Sequence, residues 1–395
     1  MTPKIAIVIE RADTTLGGAE RSVLELATAL SARGLHADML AAKGRTNAKN
    51  IHILCADTPG KRASYAVFEN ALRKHLSQNH YDIIHSVLPF DFADVYQPRG
   101  GTYAESILRN AASYQNKVVE YYKRLTTFAN VRRTRLLHAE RKLCSDPTGP
   151  VIAALSEYVA DQLKRHYGAD PQRIVVIPNG VKTDPRIDPK ETDRLRTQIL
   201  TELRLKEADN PVLFLFAANN FRLKGLAPLI RAISAAAAQP SERKPFLVVV
   251  GHDRPHRYRH IAESLGIRDK VLFLGPLRHA HSILSIIDVA VLPTFYDPSS
   301  RYTLEALAAG RPVITTKFNG AADLFADNRH GRIIDSPEDI PALAQAILHF
   351  ADTNNIECAS HAIIEDNLKE QISIGRVAGR MIALYESILQ KKGGE

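Results

Sequence analysis

Short apolar runs of strand length recur along this chain, each followed by a loop and a stretch of helical spacing, and this alternation is what most limits the fold. Lys4 to Ile9, Ala37 to Ala41, Ile51 to Leu54 and a run ending at His85 form a first series. PVLFLF from Pro211, FLVVVG, KVLFLG, VAVL at Val289 to Leu292 and VITT at Val313 to Thr316 form a second. The runs are continuously apolar, which marks strands covered on both faces, and their alternation with helices predicts doubly wound parallel sheets in an α/β fold. At 395 residues the chain exceeds the usual size of one domain. The polar, proline-marked stretch from Asp184 to Asn210 separates the two series, so the expected domains are 1–185 and 186–370. Residues Ile374 to Lys391 read as a long last helix, within a segment 371–395 expected to pack back onto the first domain.

Ligands of such sheets sit at the carboxyl ends of the strands. The stretch DPSSRYTLE, Asp297 to Glu305, leaves the VAVL strand there and opens a helix. Backbone N–H groups of Ser300, Arg301, Tyr302 and Thr303 are expected to point outward at that helix start, as an anion site. Asp297 and Glu305 bracket it; carboxylates do not bind phosphate, so they read as grips on sugar hydroxyls around a diphosphate. The same signals also fit an ordinary helix capped by Asp297 or Ser299 with a solvated Glu305. The loop NNFRLKG, 219 to 225, ends the first strand of the second series and supplies Arg222 and Lys224, two cations of the kind a leaving diphosphate requires.

In the first half, Gly17 and Gly18 open a helix and let backbone approach a ligand closely, although the full GxGxxG spacing is absent. The loops after Ile9 and His85, with DVYQPRGGTYAES, make His85, Asp94, Arg99, Gly100 and Gly101 candidates for the same edge, His85 reading equally well as a packed strand-end residue. From Tyr103 to Leu143, Lys117, Lys123, Arg124, Arg132, Arg133 and Arg135 interleave with Tyr114, Tyr121, Tyr122, Leu125 and Phe128. That pattern suits an anionic membrane surface or a negatively charged acceptor, or a solvated face over an apolar stripe.

A formal net charge of +9 favours anionic partners without choosing among them, and no nucleic-acid motif accompanies it, so no nucleic-acid partner is expected. Three scattered cysteines read as reduced thiols, and no signal peptide or membrane span stands out, which points to a cytoplasmic protein, peripheral on the membrane's inner face if the 103–143 region binds it. No Asp-x-Asp motif is present, and His252, His256, His260, His279 and His281 lack carboxylate or cysteine partners at ligand spacing, so no metal and no cofactor is expected.

With LGGAER, DVYQPRGGTYAE, IPNGV, FRLKG and DPSSRYTLEALAAGRPVITT in view, the sequence resembles the retaining GT-B glycosyltransferases of family 4, and among them the bacterial lipopolysaccharide core glucosyltransferases that act on heptose. The resemblance implies two Rossmann-like domains facing across a cleft, the first for acceptor and the second for nucleotide-sugar. It implies transfer of a hexose, glucose foremost, from a UDP-sugar to a glycolipid or oligosaccharide acceptor, without metal. Gly17 and Gly18 would contact donor phosphates or sugar, Arg222 and Lys224 the diphosphate, Asp297 the sugar hydroxyls and Glu305 the ribose. Two departures stand out: Asp297 replaces the first glutamate of the family's Glu-x7-Glu pair, and Pro98-Arg99-Gly100-Gly101 occupies a stretch where relatives carry His or Asp, a role left to Asp94 or His85. That second departure motivates an alternative, a nucleotide-sugar-binding protein without transferase activity. A glycoside hydrolase built on Asp297 and Glu305 fits poorly, since Glu305 falls inside the helix assigned to the nucleotide.

Overall fold

The strand-length apolar runs become strands of two sheets that carry helices on both faces. The computed structural model describes residues 3–13, 18–56, 62–184, 187–277 and 280–393. The chain divides into two compact units, one of 1–111, 115–180 and 374–395, the other of 112–114 and 181–373. The expected boundary between 185 and 186 falls outside the described residues.

The first unit holds β1 (Lys4–Ala12), β2 (His36–Gly44), β3 (Ile51–Ile53), β4 (Ile83–Ser86), β5 (Val95–Tyr96), β6 (Val151–Ala154) and β7 (Ile174–Val176). All pair in parallel, in the order β3-β2-β1-β4-β5-β6-β7. Alternation along β1 sends Ile5, Ile7 and Ile9 to one face, against Leu26 and Leu30 of the helix Gly18–Ser31 and Met381 and Tyr385 of the helix Ile374–Gly393. Ala6 and Val8 go to the other, against Phe68 and Leu72 of the helix Tyr65–Gln78 and Leu136 of the helix Val131–Ser145. β1 runs past Ile9 because its charged end is paired: Glu10 meets Arg132 at 2.7 Å, and Arg11 meets Glu20 at 3.3 Å.

The second unit holds β8 (Val212–Ala217), β9 (Pro245–Val250), β10 (Val271–Gly275), β11 (Val289–Leu292), β12 (Val313–Thr316) and β13 (Gly331–Ile334), in the order β10-β9-β8-β11-β12-β13. Phe214 and Phe216 face Leu229, Ile233, Leu343 and Ile347; Leu213 and Leu215 face Ile283, Ile287, Leu304 and Leu307. Strand order reverses between β1 and β4 in the first unit and between β8 and β11 in the second. At such a reversal neighbouring helices leave on opposite faces, so the carboxyl ends open into a crevice.

Candidate active site

In the second unit the loops after β8 and β11 flank that crevice because the two strands are hydrogen-bonded neighbours, Val289 beside Phe214 and Ala290 beside Leu215. Chain geometry then fixes the loops on one another. The Phe295 N–H donates to the Leu223 carbonyl at 2.9 Å, and the buried Thr294 hydroxyl donates to the same oxygen at 3.2 Å. Gly225 takes φ +83° at the start of the helix Leu226–Ala237, where a Cβ would collide with the Pro293 carbonyl. This close approach carries the Lys224 ammonium to 2.7 Å from Asp297 Oδ2 and 2.9 Å from the Tyr296 carbonyl. A cation for phosphate oxygen and a carboxylate for hydroxyl thus lie one hydrogen bond apart, their side chains 20% and 15% exposed. Arg222, expected beside Lys224 as a second phosphate grip, instead donates to the Ser113 hydroxyl and stacks 3.9 Å from the centre of the Tyr114 ring, in the 112–114 segment that belongs to this unit. Burial there pushes its pKa below the usual arginine value.

The start of the helix Arg301–Ala308 differs from the expected open anion site. The Ser300 N–H donates to Asn319 Oδ1 at 3.2 Å, and the Thr303 N–H to Ser300 Oγ at 3.3 Å, so neither points outward. The Tyr302 hydroxyl turns inward to the Leu215 carbonyl at 2.6 Å, and the Thr303 hydroxyl accepts from Asn319 Nδ2 at 3.0 Å. Ser300, Tyr302 and Thr303 therefore build the loop, their side chains turned to the protein by capping and by the core. The fully buried Asn319 organises them: it also donates to Thr315 at 2.9 Å and accepts from the Ala321 N–H at 3.1 Å. Sequence reasoning missed Asn319, Thr294 and the Tyr296 carbonyl; the Asn319-Gly320 pair directly after a strand was the available signal.

Arg301 reaches Glu305 at 3.2 Å across one helical turn. Glu305 also lines a cavity of about 360 Å³ with Lys182, Asp184, His281, Arg311 and Lys369. Among the described residues, no group of three or more His, Cys, Asp or Glu is arranged to hold a metal ion. His279 lies outside the described residues, as does Gly17; Gly18 is described, exposed, and is the first residue of its helix.

Of the first-unit candidates, His85 takes its packed alternative and Asp94 stands elsewhere than expected. His85 is buried within β4, its Nδ1 bonded to the Tyr385 hydroxyl at 2.6 Å, and burial, with the Arg99 charge nearby, pushes its pKa down to about 3. Its ring thus faces the helix Ile374–Gly393 and is closed off from solvent. Asp94 lies at the amino end of β5, accepting from the Ile84 N–H at 2.7 Å and pairing with Lys392 at 2.6 Å, so it stands at the opposite edge of the sheet. Arg99 remains at the carboxyl edge, donating to Asn179 at 2.7 Å and to Ser22 at 3.3 Å.

The family model described as Glycosyltransferase Family 4 matches residues 16–185, and that described as Glycosyl transferases group 1 matches 202–366. Lipopolysaccharide glucosyltransferase WaaG of Escherichia coli is 23% identical over 81% of this chain and 82% of its own length. The crystal structure of WaaG, a glycosyltransferase involved in lipopolysaccharide biosynthesis, superposes with TM-score 0.74 at 20% identity, covering 96% of this chain and 99% of that one. Anabaena HepE in complex with UDP superposes with TM-score 0.66 at 15% identity over 97% of this chain and all of its own.

Proposed function

This chain belongs to the family 4 glycosyltransferases with the GT-B fold, and from that we propose that it moves a hexose, glucose foremost, from a UDP-sugar to a hydroxyl of a cell-envelope glycolipid or polysaccharide acceptor. The observation that carries the reading is the Lys224–Asp297 pair at the β8/β11 reversal. As the bond from the sugar's anomeric carbon to the diphosphate oxygen breaks, negative charge grows on the leaving group, and a cation fixed in advance lowers the barrier. Lys224 is that cation; Asp297 accepts from sugar hydroxyls and orients the ring. The acceptor oxygen attacks from the face the diphosphate leaves, giving retention, and the departing diphosphate oxygen takes the acceptor's proton. This scheme asks little of a strong protein base, which accords with His85 being buried and Asp94 lying at the amino edge of the sheet, and it needs no metal.

The helix Lys117–Thr126 supports action at the cytoplasmic face of a membrane. It buries no residue and exposes Val118, Tyr121, Tyr122 and Leu125 beside Lys117, Lys123 and Arg124. Apolar and cationic groups together on one exposed helix suit the surface of an anionic bilayer. No helix among the described residues is long and apolar enough to cross one.

The test is thermal stability with UDP, GDP, ADP and their hexose conjugates, without added metal. A ligand that binds the folded chain raises the melting temperature with concentration. A selective rise with a uridine sugar, and UDP release that depends on acceptor, are expected. Lys224→Ala should lower turnover about 100-fold or more, the usual cost of deleting one preorganised charge-stabilising group. Turnover at the wild-type level in that variant would overturn the phosphate assignment, and donor binding without acceptor-dependent release would mark a binding protein instead.

A further inference from the structure

The donor reading leaves unused a cavity of about 710 Å³ that lies wholly in the first unit. It is walled by the helices Tyr65–Gln78 and Val131–Ser145, by the crossing from β4 to β5 and by the turn before β6. Small-molecule sites commonly occupy about 300–1,000 Å³.

Its two sides differ in chemistry. On one, Arg73 holds Glu69 and Asp91 in place, donating to them at 3.0 and 2.7 Å, beside the half-buried Tyr65 ring. On the other, Arg135, His138 and Lys142 project from successive turns of one helix face. All three are exposed, and none has a hydrogen-bond or ion-pair partner among the described residues. The carbonyls at that helix's end do not take up Lys142 either: the buried Arg173 guanidinium already binds the Leu143, Cys144 and Asp146 oxygens.

A purely apolar ligand would leave the exposed cations without a partner, and a polyanion such as nucleic acid would be repelled by Glu69, Asp91 and Asp146. A phosphorylated saccharide uses both walls, its hydroxyls donating to fixed carboxylates and its phosphate meeting Arg135 and Lys142. The cationic wall also follows in sequence directly from the exposed helix Lys117–Thr126 and the short turn after it, so a saccharide carried on a membrane-held glycolipid would reach it. We propose that this groove binds a phosphorylated saccharide portion of the acceptor, remote from the reacting hydroxyl. The inference rests on the glycolipid-acceptor reading above.

The probe is the lipid-free core oligosaccharide released from a rough-type lipopolysaccharide, native and chemically dephosphorylated, titrated calorimetrically into the full chain. Wild type is expected to bind the native core about tenfold tighter than the dephosphorylated one. Arg135→Ala with Lys142→Ala should abolish that difference, and Arg135→Lys should largely keep it. UDP-induced thermal stabilisation should be unchanged in these variants, which also reports that they are folded. Equal binding of the native core by the double variant and wild type would overturn the proposal, as would a dephosphorylated core that binds as tightly as the native. So would loss of phosphatidylglycerol-vesicle binding with core binding retained, which would make the groove a lipid-headgroup site. Failure of wild type to bind any UDP-sugar would instead sink the transferase reading, independently of the core titration.

Discussion

Asn319 shows how one amide can fix a loop that carries chemistry: two donors and one carbonyl oxygen satisfy Thr303, Thr315, Ser300 and Ala321 together. Replacing it with alanine strands two buried N–H groups, each worth about 1–3 kcal/mol. Asn319→Ala should therefore lower unfolding free energy by about 3 kcal/mol in a denaturant titration and loosen the Asp297 loop, lowering turnover even where the protein remains folded. Two buried titratable groups of the first unit act in opposite directions. His85 is held far below its unfolded value of about 6.5, so it stabilises the fold above that pH and costs up to about 1.4 kcal/mol for each pH unit below it, down to about 3. Glu140, buried against the Tyr96 and Tyr167 hydroxyls, is pushed up to about 7 mainly by burial. Its contribution is fully present below about 4.5 and is lost as pH rises to 7. Glu140→Gln should thus flatten the fall in stability between pH 4.5 and 7, measured by denaturation at pH 5 and 8, and an unchanged slope would remove Glu140 as its cause. Lys224 and Asp297 were legible as neighbours because each lies in a loop that follows a strand of one predicted sheet. Asn319 was not, since its worth lies in partners brought together by the fold; His85 takes the packed place that the sequence left open, and Asp94 was set at the wrong edge because the two-residue strand it precedes carries no period.

At the level of elements, the sequence located Val289–Leu292 and Val313–Thr316 at the limits the structure shows. These are segments whose apolar spacing and flanking polar or Pro residues agree. β5 escaped notice because two residues between Asp94 and Gln97 carry no period, and its pairing with β4 and β6 comes wholly from neighbours. The basic region 103–143 read as one helical stretch, whereas Asn116 and Asn130 cap new helices and divide it into three. Those breaks isolate Lys117–Thr126 as an element with no core of its own, so its apolar residues can be changed at little cost to folding. Tyr121→Ser with Leu125→Ser should leave the melting temperature within about 2 °C, since exposed substitutions usually change stability by less than about 0.5 kcal/mol. The same change should cut co-sedimentation with phosphatidylglycerol vesicles at least about tenfold, and raised salt should weaken wild-type binding by screening. Undiminished vesicle binding would exclude this helix as the contact.

Across the whole molecule, the alternation of strands and helices announced two doubly wound sheets. The last helix, Ile374–Gly393, completes the first unit's core through Val377, Met381, Leu384, Tyr385 and Ile388. Each such side chain contributes about 1.5–3 kcal/mol when buried, so the set rivals the 5–15 kcal/mol by which a whole domain is stable. A chain ending at Ser373 should keep a cooperative transition from its second unit while the first binds hydrophobic dyes and is cleaved readily by protease. Two transitions of wild-type size would refute this account. A ribosome therefore delivers the two halves in an unusual order. Domains generally mature from the amino end during synthesis, yet here the amino-terminal sheet waits half-clothed while the later unit closes, and it becomes whole only when the final turns emerge. A chaperone that shields apolar sheet faces would find its longest-lived client surface in the segment made first.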